Sequence, residues 1–124
     1  MSAAFPAAIV KRFDETNVVE IETVSAKGTT HSVKIWIVVV DEVPYVRSVR
    51  GPKGRWYREL LARGEGAVVA RGTRTAVRAK HDSTKAAIDG TSDALRRKYR
   101  TSGASLASML RADVLDTTVR LEPA

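Results

Sequence analysis

Apolar positions along the chain change their period several times, and each change marks an element. Phe5, Ile9 and Phe13 recur at spacings of four, which predicts a helix from a Ser2 cap to about Phe13, with Pro6 tolerated in the first turn. From Asn17 to Val24 the period shortens to two, Val19, Ile21 and Thr23 opposing Glu20 and Glu22, as in a half-exposed strand. Lys27-Gly28-Thr29-Thr30 turns the chain. His31 to Asp41 contains the run Ile35 to Val40, six β-branched or aromatic residues. Apolar on both faces, it reads as a central strand covered on both sides.

Glu42-Val43-Pro44 then reads as a short turn, and Tyr45 to Val49 as the antiparallel partner of that strand. A helix is predicted from Arg55 to Arg63, with Trp56, Leu60 and Leu61 inward and Gly64 as its stop. Ala67 to Lys80 alternates as one long hairpin strand with Gly72 at a bulge or bend. Asp82 or Ser83 caps a helical region to about Arg100, broken near Gly90, and Leu106 to Leu110 forms a further turn. Asp116 to Glu122 alternates again, as a final strand completing a sheet begun earlier. About five strands and three helices of this kind fit a mainly β fold, a small antiparallel barrel with helices over its openings.

Length bounds the rest: 124 residues without cysteine make one domain, residues 1–124, with one core and neither disulfides nor thiolate metal sites. No apolar run approaches the roughly 20 residues of a membrane-spanning helix. The N-terminal stretch places its basic residues after its apolar ones, the reverse of a secretory signal, so a cytoplasmic location is expected.

Charge sharpens the picture. The net +7 divides into −2 over residues 1–46 (4 basic, 6 acidic), +11 over 47–111 (16 and 5) and −2 over 112–124 (1 and 3). The basic residues of the middle segment alternate with apolar ones, as on a folded surface that meets an anionic partner. Nucleophilic and histidine-metal chemistry find little support: no serine occupies a strand-turn-helix elbow, and His31 and His81 stand fifty residues apart. Glu20 and Glu22 share a strand face, where an exposed surface explains them as well as acid–base work does.

The informative stretch is YVRSVRGPKGRWYRELL, Tyr45 to Leu61, with Arg47, Arg50, Lys53, Arg55 and Arg58 against the single acid Glu59. Its strand, glycine-bounded loop and helix bring the backbone N–H groups of Gly51, Lys53, Gly54 and Arg55 to a helix N-terminus, a site that favours an anion. Ser48 adds a hydroxyl. Each charge-assisted hydrogen bond to a phosphate is worth about 1.5 to 3 kcal/mol, so two or three of these groups anchor one. A solvated face with a turn-forming loop is the plainer reading of the same residues. Trp36 is read as core. Trp56 and Tyr57 lie about 100° apart on their helix, so one faces the interior and the other a cleft or a partner chain.

IETVSAKGTTHSVKIWIVVVD, YVRSVRGPKGRWYREL, ALRRKYR and TTVRLEP, in that order, resemble the flavin and deazaflavin-binding split-barrel superfamily. That group includes pyridoxamine-phosphate oxidases and deazaflavin-dependent nitroreductases, and the similarity is nearest to a family of short uncharacterised domains within it. The resemblance implies a split β-barrel, a homodimer, and FMN or a deazaflavin coenzyme at the subunit interface of an oxidoreductase. It also implies that Lys34, Arg47, Ser48, Arg50 and Lys53 hold the cofactor phosphate, with Arg55 and Trp56 flanking it, and that His31 and Ser32 lie where relatives place cofactor-contacting polar groups. The turn Ala26-Lys27-Gly28-Thr29 departs from the nitroreductase pattern, and the loop after Ser48 departs from that of the oxidases. Some members of the superfamily carry no cofactor. Two other classes therefore stay open: a nucleic-acid-binding barrel, expected to bind in a salt-dependent way, and a cofactor-free structural or sensing dimer.

Overall fold

The computed structural model describes residues 4–124, so the predicted Ser2 cap lies outside the described residues. The first helix, α1, runs Ala7–Glu15 with Pro6 at its N-cap, and Phe5 and Phe13 meet edge to face at 5.8 Å. Then come β1 (Val19–Val24), β2 (Thr30–Ile35), β3 (Val38–Val40), β4 (Val43–Val46), a 3-10 turn at Gly51–Lys53 and α2 (Arg55–Arg63). The chain continues through β5 (Glu65–Ala70), β6 (Thr73–His81), α3 (Lys85–Lys98), α4 (Gly103–Met109), α5 (Ala112–Leu115) and β7 (Val119–Pro123).

The strands form one antiparallel sheet in the order β2-β1-β5-β6-β7-β4-β3. β2 and β3 are consecutive in sequence yet lie on opposite edges, separated only by Trp36 and Ile37. So short a link between the two edges requires the sheet to curl, and the molecule is a split β-barrel. Phe13, Ile21, Ile37, Leu60, Val68, Val77 and Leu121 fill its interior, each 1% exposed or less. A second cluster, Val38, Tyr45, Leu95, Tyr99 and Met109, lies between α3 and the β3–β4 hairpin.

Several expectations are corrected. The predicted central strand from His31 to Asp41 is two edge strands. Its apolar character on both faces comes from helical cover and barrel interior, Val38 packing toward α3 and Val39 into the barrel cluster. Periodicity reports burial, not the number of neighbouring strands. The turn predicted at Glu42-Val43-Pro44 is made by Asp41 and Glu42, both left-handed at φ 50° and 67°, and Val43 and Pro44 are already paired in β4. The long strand at 67–80 is a β5–β6 hairpin turned by Arg71 and Gly72, φ 51° and 79°, the positive-φ pair that a two-residue hairpin needs. Thr84, not Asp82 or Ser83, caps α3, its hydroxyl accepting from Ala87 N. Gly90 does not interrupt that helix; a Cβ there would come within 3.2 Å of Val40 Cγ1, so glycine lets the helix approach β3. Among the described residues seven strands and five helices therefore stand where five and three were expected, and the final strand takes a place inside the sheet, between β6 and β4. None of the described helices is long and apolar enough to cross a membrane.

At the seam of the barrel, side chains replace ladder partners. Ile37 N donates to Tyr99 Oη at 3.2 Å, and Ile37 O accepts from Lys98 Nζ at 2.7 Å. Tyr99 Oη lies 2.7 Å from Asn17 O and Lys98 Nζ also donates to Phe13 O and Thr16 O, so the end of α3 ties the crossing residue Ile37 to the end of α1 and the segment before β1. Burial pulls the Lys98 ammonium down to about 8, against a small upward pull from Asp14, so it remains charged at neutral pH. Lys98→Met, which keeps the apolar stem but removes three hydrogen bonds to backbone carbonyls, is expected to cost about 2–4 kcal/mol. Equilibrium urea unfolding checks this; a loss below about 0.5 kcal/mol would show that water replaces the ammonium at no cost.

Candidate functional site

The site begins with a buried cation. Arg47 follows β4 directly and is 2% exposed, yet no carboxylate lies within ion-pair distance of it among the described residues. Its guanidinium is held by neutral acceptors. Nε donates to Thr118 Oγ1 (3.0 Å), Nη1 to Ser92 Oγ (3.0 Å) and Met109 O (3.1 Å), and Nη2 to Ile88 O (3.1 Å). These four bonds leave one of the five guanidinium N–H groups uncommitted. Burial, with the like charge of Arg96, lowers Arg47 to about 10, so it stays ionised at neutral pH.

Arg47 forms part of the wall of a cleft of about 610 Å³, a size that accepts a ligand of drug or cofactor dimensions. β2 and the crossing residue supply Val33, Lys34, Ile35 and Trp36; the loop after β4 supplies Val49 and Arg50; α2 supplies Gly54, Arg55 and Trp56; α4 supplies Ser105, Ser108 and Met109. The structure thus brings together Lys34, Arg47, Arg50, Arg55 and Trp56 of the seven expected site residues. Lys34, Arg50 and Arg55 are exposed, and among the described residues none forms an ion pair. The N-terminus of α2 has no side-chain cap, and its N-cap residue Gly54 borders the cleft. Its first-turn N–H groups and dipole favour negative charge there.

Lys53 and Ser48 do not line the cleft. Ser48 is 1% exposed, and its hydroxyl donates to Gly51 O at 2.8 Å while its backbone N donates to Thr117 Oγ1 at 3.0 Å. It braces the loop from behind. Two of the expected backbone donors are also committed, Gly51 N to Ser48 O and Gly54 N to Gly51 O. A Cβ on Gly54 would fall 2.5 Å from Ser48 Oγ, which is why glycine stands at this corner.

Both tryptophans border the cleft. Trp56 lines it but is also buried in the core cluster together with Tyr57, so the expected division into one inward and one cleft-facing ring is only partial; the rings lie edge to face at 6.3 Å. Trp36, expected in the core, is half-buried: one face stacks on Tyr99 at 3.9 Å and 2°, and the residue also borders the cleft. The turn expected at Leu106 to Leu110 is part of a longer helix, α4, which begins at Gly103 and brings Ser105 and Ser108 to the cleft. Ser105 and Ser108, one helical turn apart, carried a signal only in their spacing.

Outside the cleft the charge of the middle segment is partly paired. Arg74, Lys80, Lys85, Arg96 and Arg111 each meet a carboxylate, and Arg63 and Arg71 donate to backbone carbonyls. Of the residues entering β2, Ser32 donates to Glu20 Oε2 and His31 Nδ1 sits 3.0 Å from Glu59 Oε1. Among the described residues no cluster of His, Cys, Asp and Glu could hold a metal ion.

Arg47→Met should cost about 3 kcal/mol or more, since it removes four buried charge-assisted hydrogen bonds that join α3, α4 and the segment before β7 to the barrel. Arg50→Ala should stay within about 0.5 kcal/mol of the wild type, as for other exposed cations. Paired chemical denaturation curves check the contrast; equal losses would mean that Arg50 is structural as well.

No curated protein matches the chain at a significant level. Among solved structures, a conserved hypothetical protein from Mycobacterium tuberculosis matches with TM-score 0.66 at 12% identity, over 99% of this chain and 81% of the other. HutZ, the heme storage protein from Vibrio cholerae, matches with TM-score 0.65 at 13% identity, over 98% and 92%. A NimC/NimA family protein from Clostridium acetobutylicum matches with TM-score 0.63 at 10% identity, over 94% and 80%. At such identities the likeness is one of fold. The family model described as "Uncharacterized protein conserved in bacteria (DUF2255)" matches residues 9–121, and the chain belongs to that family.

Proposed function

We propose that this domain binds a phosphate-bearing flavin or deazaflavin coenzyme in the cleft and serves as an oxidoreductase-like protein, as a cytoplasmic homodimer. The observation that carries the reading is that Lys34, Arg47, Arg50 and Arg55 line one cleft, which the uncapped N-terminus of α2 borders, with no carboxylate paired to any of them among the described residues. A buried cation without an acid partner is costly, and an anionic ligand is the natural compensation.

In this reading Arg50, Arg55 and Lys34 take the phosphate, the remaining Arg47 N–H contributes from below, and Lys53 adds long-range attraction from just outside. Ser48 acts at one remove by fixing the loop. Trp36 and Trp56, with Val33, Ile35 and Met109, supply a flat apolar surround that excludes water from a ring system. A bound flavin supplies the electron transfer, and the chain supplies binding, orientation and electrostatics. In the same reading Val49, 44% exposed at the cleft, contacts a second subunit.

Heme is the second reading, favoured by the likeness to HutZ and by Met109 in the cleft wall. Against it, neither His31 nor His81 borders the cleft, and the chain has no cysteine.

Absorption-monitored titration of the purified protein with FMN, a deazaflavin coenzyme, riboflavin and hemin tests the proposal. FMN or the deazaflavin should bind at one site per chain, and riboflavin, which lacks the phosphate, at least about tenfold more weakly. Arg50→Ala with Arg55→Ala should reduce FMN affinity about 100-fold with little change in thermal midpoint. Hemin uptake with no response to FMN or the deazaflavin would overturn the flavin reading.

A further inference from the structure

The cleft is walled almost wholly by side chains that donate hydrogen bonds or make none. Lys34, Arg47, Arg50 and Arg55 carry N–H groups and no lone pair to offer, and the indoles of Trp36 and Trp56 likewise only donate. The other side chains on the wall are aliphatic or the thioether of Met109, apart from Ser105 and Ser108 of α4. The strong side-chain acceptors that line the cleft are therefore two hydroxyl oxygens, one helical turn apart.

These two hydroxyls are not equivalent. A serine has a single hydrogen to donate. Ser108 spends it on the carbonyl of Ala104, at 3.0 Å, and so meets a ligand as an acceptor. Ser105 Oγ has no partner among the described residues and keeps its hydrogen for a ligand. Residues three apart on a helix face have Cβ atoms about 5–6 Å from each other, close enough to hold neighbouring groups of one ligand. The helix that carries them is itself fixed. Arg47 Nη1 donates to Met109 O at 3.1 Å, and Leu106 and Met109 pack into the apolar cluster that includes Tyr99 and Trp36. Trp36 has one face against Tyr99, which leaves its other face and its edge for the cleft it borders. A donor and an acceptor thus stand beside the platform on which a flat ring would lie.

Such a wall sorts ligands by their own donors. A ligand carbonyl finds donors all around it, whereas a ligand N–H taken out of water finds a strong acceptor side chain only on α4, and an N–H left unpaired costs affinity. Amines and guanidines meet like charge from four cations and are rejected. A matching ligand is anionic, rich in carbonyl oxygens and sparing in N–H groups.

We propose that Ser105 and Ser108 select a planar heterocycle with a carbonyl beside a ring N–H, Ser108 Oγ accepting from the N–H and Ser105 Oγ donating to the adjoining carbonyl oxygen. This rests on the cofactor-binding reading of the cleft and adds to it the part of the coenzyme that α4 recognises, since the pyrimidinedione ring common to flavins and deazaflavins has an N3–H flanked by carbonyls. Hydrogen bonds from adjacent ring groups diverge, which suits partners a helical turn apart. The serines discriminate between rings and orient the bound one; they exchange no electrons with it.

The test titrates the wild type, Ser105→Ala and Ser108→Ala with FMN, or with the deazaflavin coenzyme where that is the form that binds. Each is also titrated with the same coenzyme methylated at ring N3, which removes the N–H and keeps the phosphate. The wild type should bind the methylated form about tenfold more weakly. Ser108→Ala should weaken the parent coenzyme about five- to tenfold and bring the two forms within about twofold of each other, because the acceptor that told them apart is gone. Ser105→Ala should weaken both forms by the same factor, about fivefold. Both serines are exposed and alanine suits a helix, so thermal midpoints should be unchanged. Equal binding of the two forms by the wild type, a preference that survives in Ser108→Ala, or no loss in Ser105→Ala overturns the assignment, and the cofactor reading stands wherever binding still depends on the phosphate. Absence of binding by both FMN and the deazaflavin coenzyme removes both.

Discussion

A guanidinium buried without a carboxylate at its side is the constraint around which this molecule is arranged. Arg47 leaves β4 pointing into the junction of α3, α4 and the start of β7, and α3, α4 and the residue before β7 each contribute an acceptor to it. Removing such a group from water requires nearly all of its hydrogens to find partners. The sequence meets that demand with a carbonyl and a hydroxyl from α3, the carbonyl that ends α4 and a threonine just before β7. The same bonds fix the distance between α4 and the loop after β4, and so the width of the cleft. Fold and site are linked through one side chain, and the positive charge that this geometry leaves uncompensated gives the cleft its chemical character.

The seam works by a different logic. A closed barrel satisfies every backbone group by pairing, whereas a split one must provide for the lips. Lys98 and Tyr99 do so from the end of α3, and the Tyr99 ring then serves a second purpose as the surface on which Trp36 lies flat. Trp36 therefore couples the closure of the barrel to the wall of the cleft. A long lysine and a tyrosine at a helix C-terminus are ordinary surface residues by composition. Only the crossing of the chain at Ile37 turns them into structural ones.

Much of the architecture was legible because it depends on local pattern. The helix from Arg55 to Arg63, with Gly64 left-handed at its end, follows directly from apolar spacing and a glycine stop. The loop before it, rich in glycine and cations, could be read as an anion site from residue type alone; with Lys34, which only the family resemblance supplied, five of the seven expected residues border one cleft. The errors arose where pattern and topology separate. The run from Ile35 to Val40 has the composition of a central strand, but helical cover at an edge produces the same composition. The hydroxyl of Ser48 was chosen for its chemistry, yet an inward turn of the backbone commits it to Gly51 O. His31 and Glu59 are 28 residues apart in sequence, and no local signal joins them.

The two-residue passage from one sheet edge to the other has a bearing on solubility. Open sheets expose unpaired strand borders that can recruit strands from other molecules. Here β3 is only three residues long and lies under α3, while β2 presents the hydrophilic series Thr30, Ser32 and Lys34 on one of its faces. Tying those borders together through Trp36 and Ile37 holds them against their own helices. The curl that makes room for a ligand thus also denies neighbouring chains a flat template on which to grow.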